Sequence, residues 1–169
     1  RTVTCPVLFE STLAAGLLGG LVHALSGGAM YRKSSFLMDS LGKQVLPAHV
    51  NVLEDPFVLR GKGSSPFDEE GVKTSQRQLI KDGKVQGYFL SSYSARKLGM
   101  TTTGNAGGSH NLVMTSTQTR ADDDLQAMLN QHRAAHSNRG HALSESAEIR
   151  LAVVSYSLAS RLETERFVH

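Results

Sequence analysis

The chain has 169 residues, of which 40% are hydrophobic and 20% charged, and its net charge at pH 7 is +3. This length suffices for one domain with its own core, and the composition is that of a globular protein, without an 18-residue apolar run that would predict a membrane span. The cations are spread along the chain and only 6% of residues are aromatic, which argues against a nucleic-acid surface. Because a single cysteine, Cys5, cannot form an internal disulfide, we expect a cytoplasmic protein.

An apolar helix is predicted near the start of the chain, after a short buried strand at Val7–Phe9. Ser11 or Thr12 can cap the helix with a hydroxyl, and Gly27-Gly28 is expected to end it. Three internal glycines each cost about 1 kcal/mol relative to alanine, so we expect this helix to pack closely against another backbone. They are Gly16, Gly19 and Gly20.

The next third of the chain predicts one strand and one loop. The alternation over Val50–Leu53 predicts a strand that ends at Glu54-Asp55-Pro56, whereas Phe36–Leu41 fits a short helix or an extended segment equally well. The segment Gly61–Gly71 contains three consecutive acids, Asp68 to Glu70, which would suit a metal or acid–base site. Its proline and terminal glycine favour a solvated turn.

The most informative stretch runs from Thr74 to Asn111. Asp82-Gly83 is a preferred dipeptide for a two-residue turn, which predicts antiparallel pairing of Thr74–Lys81 with Lys84–Leu90. Leu79, Val85 and Phe89 are expected in the core. Ser91 or Ser92 then caps a short helix that ends at Gly99, and the polar, glycine-rich segment Thr101–Ser109 is predicted to be a loop.

The remaining elements are one strand and one helix. Asn111–Ser116 alternates as a strand does, and Asp122–Asp124 precede an amphipathic helical pattern. Capping and the helix dipole explain these aspartates more simply than a divalent cation does. Together the elements predict an α+β fold, with an antiparallel and barrel-like sheet and peripheral helices.

Three runs of this sequence closely resemble the PmbA/TldE branch of the PmbA–TldD family, also called modulators of DNA gyrase. They are SGGAMYRKSSFLMDSLGKQV, SSPFDEEGV and DGKVQGYFLSSYSARKLGMTTTGNAGGSHN. The resemblance covers Val3 to about Gln131, so residues 1–131 are interpreted as part of the family's C-terminal domain. Residues 132–169 contain none of the seven lysines but four of the seven histidines, which suggests a divergent tail from an altered reading frame or an appended terminus.

The resemblance implies a subunit of a metallopeptidase complex that cleaves peptides or unfolded proteins. In the TldD branch, the first helix of this region carries a His-Glu-x-x-x-His motif that holds zinc. Residues 9–17 read FESTLAAGL here, with Glu10 and no histidine. We therefore expect no catalytic residue, metal ligand or cofactor in this chain, and zinc in a TldD-like sister subunit, although the sequence leaves open whether this chain is itself an enzyme.

Polar groups that meet at the short helix and the glycine loop are the candidate substrate-binding residues. Glycines there would let the backbone approach a substrate peptide, although tight turns between strands explain them equally well. The candidates are Tyr93, Arg96, Asn105, Gly107, Gly108 and His110.

Two other functions compete with this one. His132 and His136 lie one helical turn apart and could bind zinc, but Arg133 stands where a zinc peptidase has its glutamate base. His23 has no second ligand one turn away. The alternative in a different class is a DNA gyrase-associated or nucleic-acid-binding modulator without peptidase activity, as the family's older name suggests.

Overall fold

The computed structural model describes residues 11–118, 126–127 and 129–130. Within them, Gly16–Thr117 forms one compact unit, and Ser11–Ala15 with the described residues after Thr117 belongs to a second. The strand predicted at Val7–Phe9, the aspartates at 122–124 and the 132–169 tail lie outside the described residues. In the described part of the chain, no helix is long and apolar enough to cross a membrane.

Four antiparallel strands form the sheet. They lie in the order β3-β2-β1-β4 and comprise β1 (Val50–Asp55), β2 (Arg77–Lys81), β3 (Lys84–Val85) and β4 (Asn111–Ser116). The α+β class is confirmed. The sheet does not close on itself within the described ranges, so the predicted barrel-like form is not seen there.

Three helices are described, namely α1 (Ser11–Ala24), α2 (Gly27–Tyr31) and α3 (Ser92–Leu98). The prediction that Gly27-Gly28 ends the first helix is wrong, because these glycines begin α2. Extended Ser26 (φ −72°, ψ 139°) separates the two helices, and its side chain accepts a hydrogen bond from the Ala29 backbone. The serine cap thus starts a second helix at the position where glycine alone predicted the end of the first.

Glycine permits close packing at one position that the sequence did not suggest. A Cβ atom on Gly27 would lie 2.3 Å from Ser94 Oγ, so only glycine lets α2 lie this close to α3. Beside Gly16, Gly19 and Gly20, in contrast, a Cβ would meet no described atom within 4 Å outside the helix. The close packing predicted for those three glycines is therefore wrong for the described part of the chain.

The hairpin turn is confirmed, but its second strand is shorter than predicted. Asp82 (φ 50°) and Gly83 (φ 73°) both have positive φ, as a two-residue turn of this kind requires. β3 ends at Val85 rather than Leu90, and β2 begins at Arg77 rather than Thr74. The chain leaves the sheet because the Phe89 backbone pairs elsewhere, donating to Leu25 O at 3.0 Å and accepting from Gly27 N at 2.8 Å.

The core lies between the sheet and the segment from Leu18 to Leu37. Leu79, Val85 and Phe89 are buried, as predicted. Phe36–Leu41 forms turns and an isolated bridge instead of a helix or strand, whereas α3 has the predicted serine cap, Ser91, and the predicted glycine cap, Gly99. β1 alternates between buried and half-buried positions, and its third buried residue after Val50 and Val52 is a glutamate, Glu54.

The turn glycine provides a test of the packing around the hairpin. A Cβ on Gly83 would lie 2.1 Å from the carbonyl oxygen of Leu46. Gly42 has nearly the same φ, 74° against 73°, but a Cβ on it would meet no described atom within 4 Å. We expect Gly83→Ala to lower the free energy of unfolding by about 3 kcal/mol and Gly42→Ala by about 1 kcal/mol, since only the first adds a clash to the strained φ. Urea denaturation measures both, and equal losses would contradict the packing.

Candidate functional site

The site is built around the carboxylate of Glu54, whose side chain is 1% exposed. Its Oε2 atom accepts a hydrogen bond from Arg77 Nε at 2.7 Å. Its Oε1 atom accepts from Asn105 Nδ2 at 2.8 Å and from the His110 backbone at 2.9 Å. A buried carboxylate is strongly unfavourable unless it is paired and hydrogen-bonded, and these three donors meet that requirement.

Arg77 lies opposite Glu54 on the neighbouring strand and links three segments. Besides Glu54, its guanidinium donates to the Tyr88 carbonyl and to Asn105 Oδ1, each at 2.9 Å. The same group lies 5.2 Å from the centre of the Phe89 ring. Arg77 therefore holds the glycine loop and the segment after β3 against the sheet with one rigid, planar group.

The hydrogen bond to Glu54 determines which nitrogen of His110 is free. Nδ1 lies 3.1 Å from Glu54 Oε1, and an ionised carboxylate can only accept. Nδ1 of His110 therefore carries a proton and donates it, which leaves Nε2 as the acceptor in the neutral ring. The side chain is 10% exposed.

His110 lines a shallow surface groove of about 310 Å³ between two loops. One wall is the acidic loop that contains Asp68, and the other is the glycine loop. The lining residues are Ser65, Phe67, Asp68, Glu69, Ala106, Gly107, Gly108, Ser109 and His110. Gly107 has φ 95°, a backbone conformation that favours glycine, and a Cβ on it would lie 2.5 Å from Glu69 Cδ and displace the Glu69 side chain.

Asp68 connects the two walls of the groove. Its carboxylate accepts hydrogen bonds from the backbones of Val72 (2.8 Å), Glu70 (2.9 Å) and Ala106 (3.0 Å). Burial acts to raise the pKa of Asp68, but these backbone hydrogen bonds, together with the His110 ring when it is protonated, outweigh it and hold the pKa below its ordinary value. The acidic segment is thus a turn, as predicted, whose first carboxylate serves to fix the loop.

The six predicted substrate-binding residues do not converge in one place. Gly107, Gly108 and His110 line the groove, and Asn105 lies beneath it, 5% exposed, in the Glu54 network. Tyr93 and Arg96 are on the exposed face of α3, where with Lys97 they line a separate cavity of about 370 Å³. The two cavities share no lining residue.

Two central residues were not predicted, Glu54 and Arg77. A signal for Glu54 was present, because it follows Val50 and Val52 at the spacing that places residues on one face of a strand. A charged residue in that position calls for a buried partner. Nothing local identifies the partner, which lies 23 residues further along the chain.

The side chains that the structure describes do not form a zinc centre. Among the residues that the structure describes, His, Cys, Asp and Glu side chains form no group of three or more that could hold a metal ion. Residues 9–17 provide one acid and no histidine. A catalytic zinc site needs about three protein ligands with an open fourth position.

Comparison with known proteins identifies the class as a metallopeptidase domain. Residues 2–149 match the family model of the PmbA/TldA metallopeptidase C-terminal domain. The chain therefore belongs to the PmbA/TldA metallopeptidase family. The match continues past Gln131, where the sequence placed the start of a divergent tail, and a domain boundary at that point stays a prediction.

Curated relatives come from both branches of the family. The chain is 54% identical over 110 residues to metalloprotease PmbA of Escherichia coli O157:H7, a match that covers 65% of this chain and 24% of the relative. It is 50% identical to a PmbA homolog of Haemophilus influenzae (64% and 24% covered) and 35% identical to a TldD homolog of the same organism (58% and 21%). The chain thus spans about a quarter of the length of these relatives.

Solved structures agree on the fold. A proposed modulator of a DNA gyrase from Thermotoga maritima MSB8 superposes with a TM-score of 0.64 at 27% identity, covering 75% of this chain and 30% of that one. TldE from Thermococcus kodakarensis has a TM-score of 0.54 at 24% identity and covers 66% and 27%. The second likeness, at this identity, concerns the fold alone.

Removal of Arg77 is expected to be strongly destabilising, because it leaves the Glu54 carboxylate buried and unpaired. We expect Arg77→Met to lower the free energy of unfolding by about 3–5 kcal/mol. The exposed Arg96 provides a matched control, and Arg96→Met should change the free energy of unfolding by less than about 0.5 kcal/mol. The double variant Glu54→Gln/Arg77→Met should lose less than the sum of its single losses, since no buried charge remains. Additive losses in urea denaturation would refute this coupling.

The lowered pKa of Asp68 predicts an acid-sensitive contribution to stability. Since the ionised carboxylate is favoured in the folded chain, its contribution is complete above the ordinary pKa of 3.8 and is lost as the pH falls through the lower folded value. Asp68→Asn should therefore be less stable by about 1 kcal/mol at pH 7, and this difference should shrink below about pH 4. Denaturation of both chains from pH 7 to pH 2 measures it, and a constant difference would contradict the assignment.

Proposed function

We propose that this chain is a non-catalytic subunit of a two-chain metallopeptidase that cleaves peptides or unfolded proteins, with zinc in a TldD-like sister. The observation that carries the proposal is the sequence at residues 9–17, FESTLAAGL, just where the TldD branch has its two histidines. Zinc hydrolysis needs about three metal ligands and a base for the water proton, and Glu10 alone cannot supply both.

The occurrence of relatives from both branches in one organism supports the sister subunit. Haemophilus influenzae has a PmbA homolog 50% identical to this chain and a TldD homolog 35% identical to it. Two related chains of one fold are suited to divide binding and chemistry between them. Because the chain spans about a quarter of its relatives' length, the proposed activity is that of the complete two-chain assembly and not of this chain alone.

The groove supports a role in positioning a polypeptide. Phe67 is 55% exposed and offers an apolar surface to a side chain, while a Cβ on Gly108 would meet no described atom within 4 Å, so its backbone is open to a ligand. Nε2 of His110 adds a hydrogen-bond acceptor. A substrate held here would meet a rigid wall, because Arg77, Glu54 and Asn105 fix the loop from beneath.

Peptidase assays with the sister subunit test the division of labour. We expect the mixture of this chain with a TldD-like sister to cleave an unfolded protein such as casein. Glu10→Gln in this chain should leave the rate unchanged, as should the double variant His132→Ala/His136→Ala. Glu→Gln in the sister's zinc motif should lower the rate by a factor of about 100 or more, because it removes the general base. Cleavage by this chain alone that Glu10→Gln abolishes would refute the proposal.

Two exposed phenylalanines provide a matched test of the groove in the same assay. Phe67 lines the groove, whereas Phe36, 87% exposed, does not. Phe67→Ala should raise KM by a factor of about 3 to 10 at unchanged kcat, the effect of losing uniform binding energy. Phe36→Ala should leave both parameters unchanged. Equal effects would show that the groove is not the substrate surface.

A further inference from the structure

A cluster of tyrosines and cations covers the surface where α2 ends and α3 presents its exposed face. This basic–aromatic patch consists of Tyr31, Arg32, Tyr93, Arg96 and Lys97. The two tyrosine rings meet edge to face, with centroids 5.6 Å apart and planes at 82°. Tyr93, Arg96 and Lys97 line a cavity of about 370 Å³ that is distinct from the groove of His110.

Two of the three cations of the patch, Arg32 and Lys97, lie over tyrosine rings rather than beside acids. The Arg32 guanidinium lies 5.4 Å from the centre of the Tyr31 ring, and Lys97 Nζ lies 5.6 Å from that of Tyr93. Across the described ranges, the ion pairs are those of Glu54, so no carboxylate lies within ion-pair distance of Arg32, Arg96 or Lys97. A ring holds a cation in place while leaving its charge available, which lowers the entropic cost of binding an anion.

Local structure accounts for only part of this arrangement. Arg96 and Lys97 lie in the last turn of α3, where the helix dipole favours cations. Arg32 is the C-cap of α2, where a cation is also favoured, but neither helix end explains the contact between two tyrosines 62 positions apart in the chain. The acid beside α3, Glu70, lies at the opposite end and accepts a hydrogen bond from the Ser92 backbone.

We propose that the basic–aromatic patch binds carboxylates of an acidic polypeptide segment. Cations from two helices, Arg32 on one side and Arg96 with Lys97 on the other, can engage neighbouring carboxylates of one extended chain, and arginine can do so with two parallel hydrogen bonds. That the ligand is a polypeptide rests on the proposed function. The new inference is that the bound segment is acidic.

The rings themselves favour a polypeptide over a nucleic acid. Single-stranded nucleic acids bind to surfaces on which successive bases stack against open aromatic faces. Here each tyrosine has a cation over its ring, and the two planes are nearly perpendicular. Neither ring is thus presented as a stacking platform.

Binding of a labelled peptide to the 169-residue chain tests the inference without any sister subunit or peptidase activity. Fluorescence anisotropy at about 50 mM salt should show that hexaglutamate binds at least about tenfold more tightly than hexaglutamine, since only exposed charges distinguish the two. Arg32→Gln and Arg96→Gln should each weaken hexaglutamate binding by a factor of about 3 or more. Lys62→Gln removes the same charge from an exposed loop outside the patch and should change binding by less than a factor of about 1.5.

Three outcomes would overturn the proposal. Equal affinity for hexaglutamate and hexaglutamine would remove the charge preference. An effect of Lys62→Gln as large as that of Arg96→Gln would show general attraction to a cationic chain. Tighter binding of a dodecathymidine strand, weakened by the same two arginine substitutions, would assign the patch to nucleic acid. A failed peptidase assay with intact peptide binding would reject the two-chain function and leave the patch in place.

Discussion

The burial of one carboxylate, that of Glu54, is the constraint on which the candidate site depends. An apolar residue at this inward position of β1 would need no partner, whereas a carboxylate needs its charge and lone pairs satisfied. Arg77 on the adjacent strand supplies the charge, and Asn105 with the His110 backbone supplies further donors. The glycine loop therefore has one position relative to the sheet. Its rigidity is a property of the network beneath it and not of the loop's own sequence.

The sequence was sufficient to predict those turns, caps and strands that depend on residues close together in the chain. The Asp82-Gly83 turn, the Ser91 cap, the end of α3 at Gly99 and the bounds of β4 all depend on residues within a few positions, and the structure confirms them. The same reasoning was wrong at Gly27, because that glycine responds to α3, more than 60 residues away. Gly16, Gly19 and Gly20 are also glycines, but within the described ranges no second element packs against them.

The candidate site was predicted in part for the same reason. Polar residues and glycines near a loop are easily predicted to bind a substrate. Five of the six predicted residues line one of the two cavities, and Asn105 is buried beneath the groove. Their division into a groove and a separate patch depends on how α3 and the glycine loop are oriented, which no local pattern encodes. Glu54 and Arg77 were missed because a strand residue that pairs across the sheet acquires its meaning only from the partner strand.

The spacing of the Glu54 partners along the chain has a consequence for how the sheet unit forms. Arg77, Asn105 and His110 lie 23, 51 and 56 residues after Glu54. Long loops must therefore close, at a cost in chain entropy, before the hydrogen bonds to Glu54 can offset that cost. An intermediate with β1 buried but one partner absent would carry an unsatisfied charge in its interior. Partly assembled states are thus disfavoured relative to both the open chain and the complete sheet. The glutamate makes assembly cooperative and couples the order of the surface groove to completion of the fold.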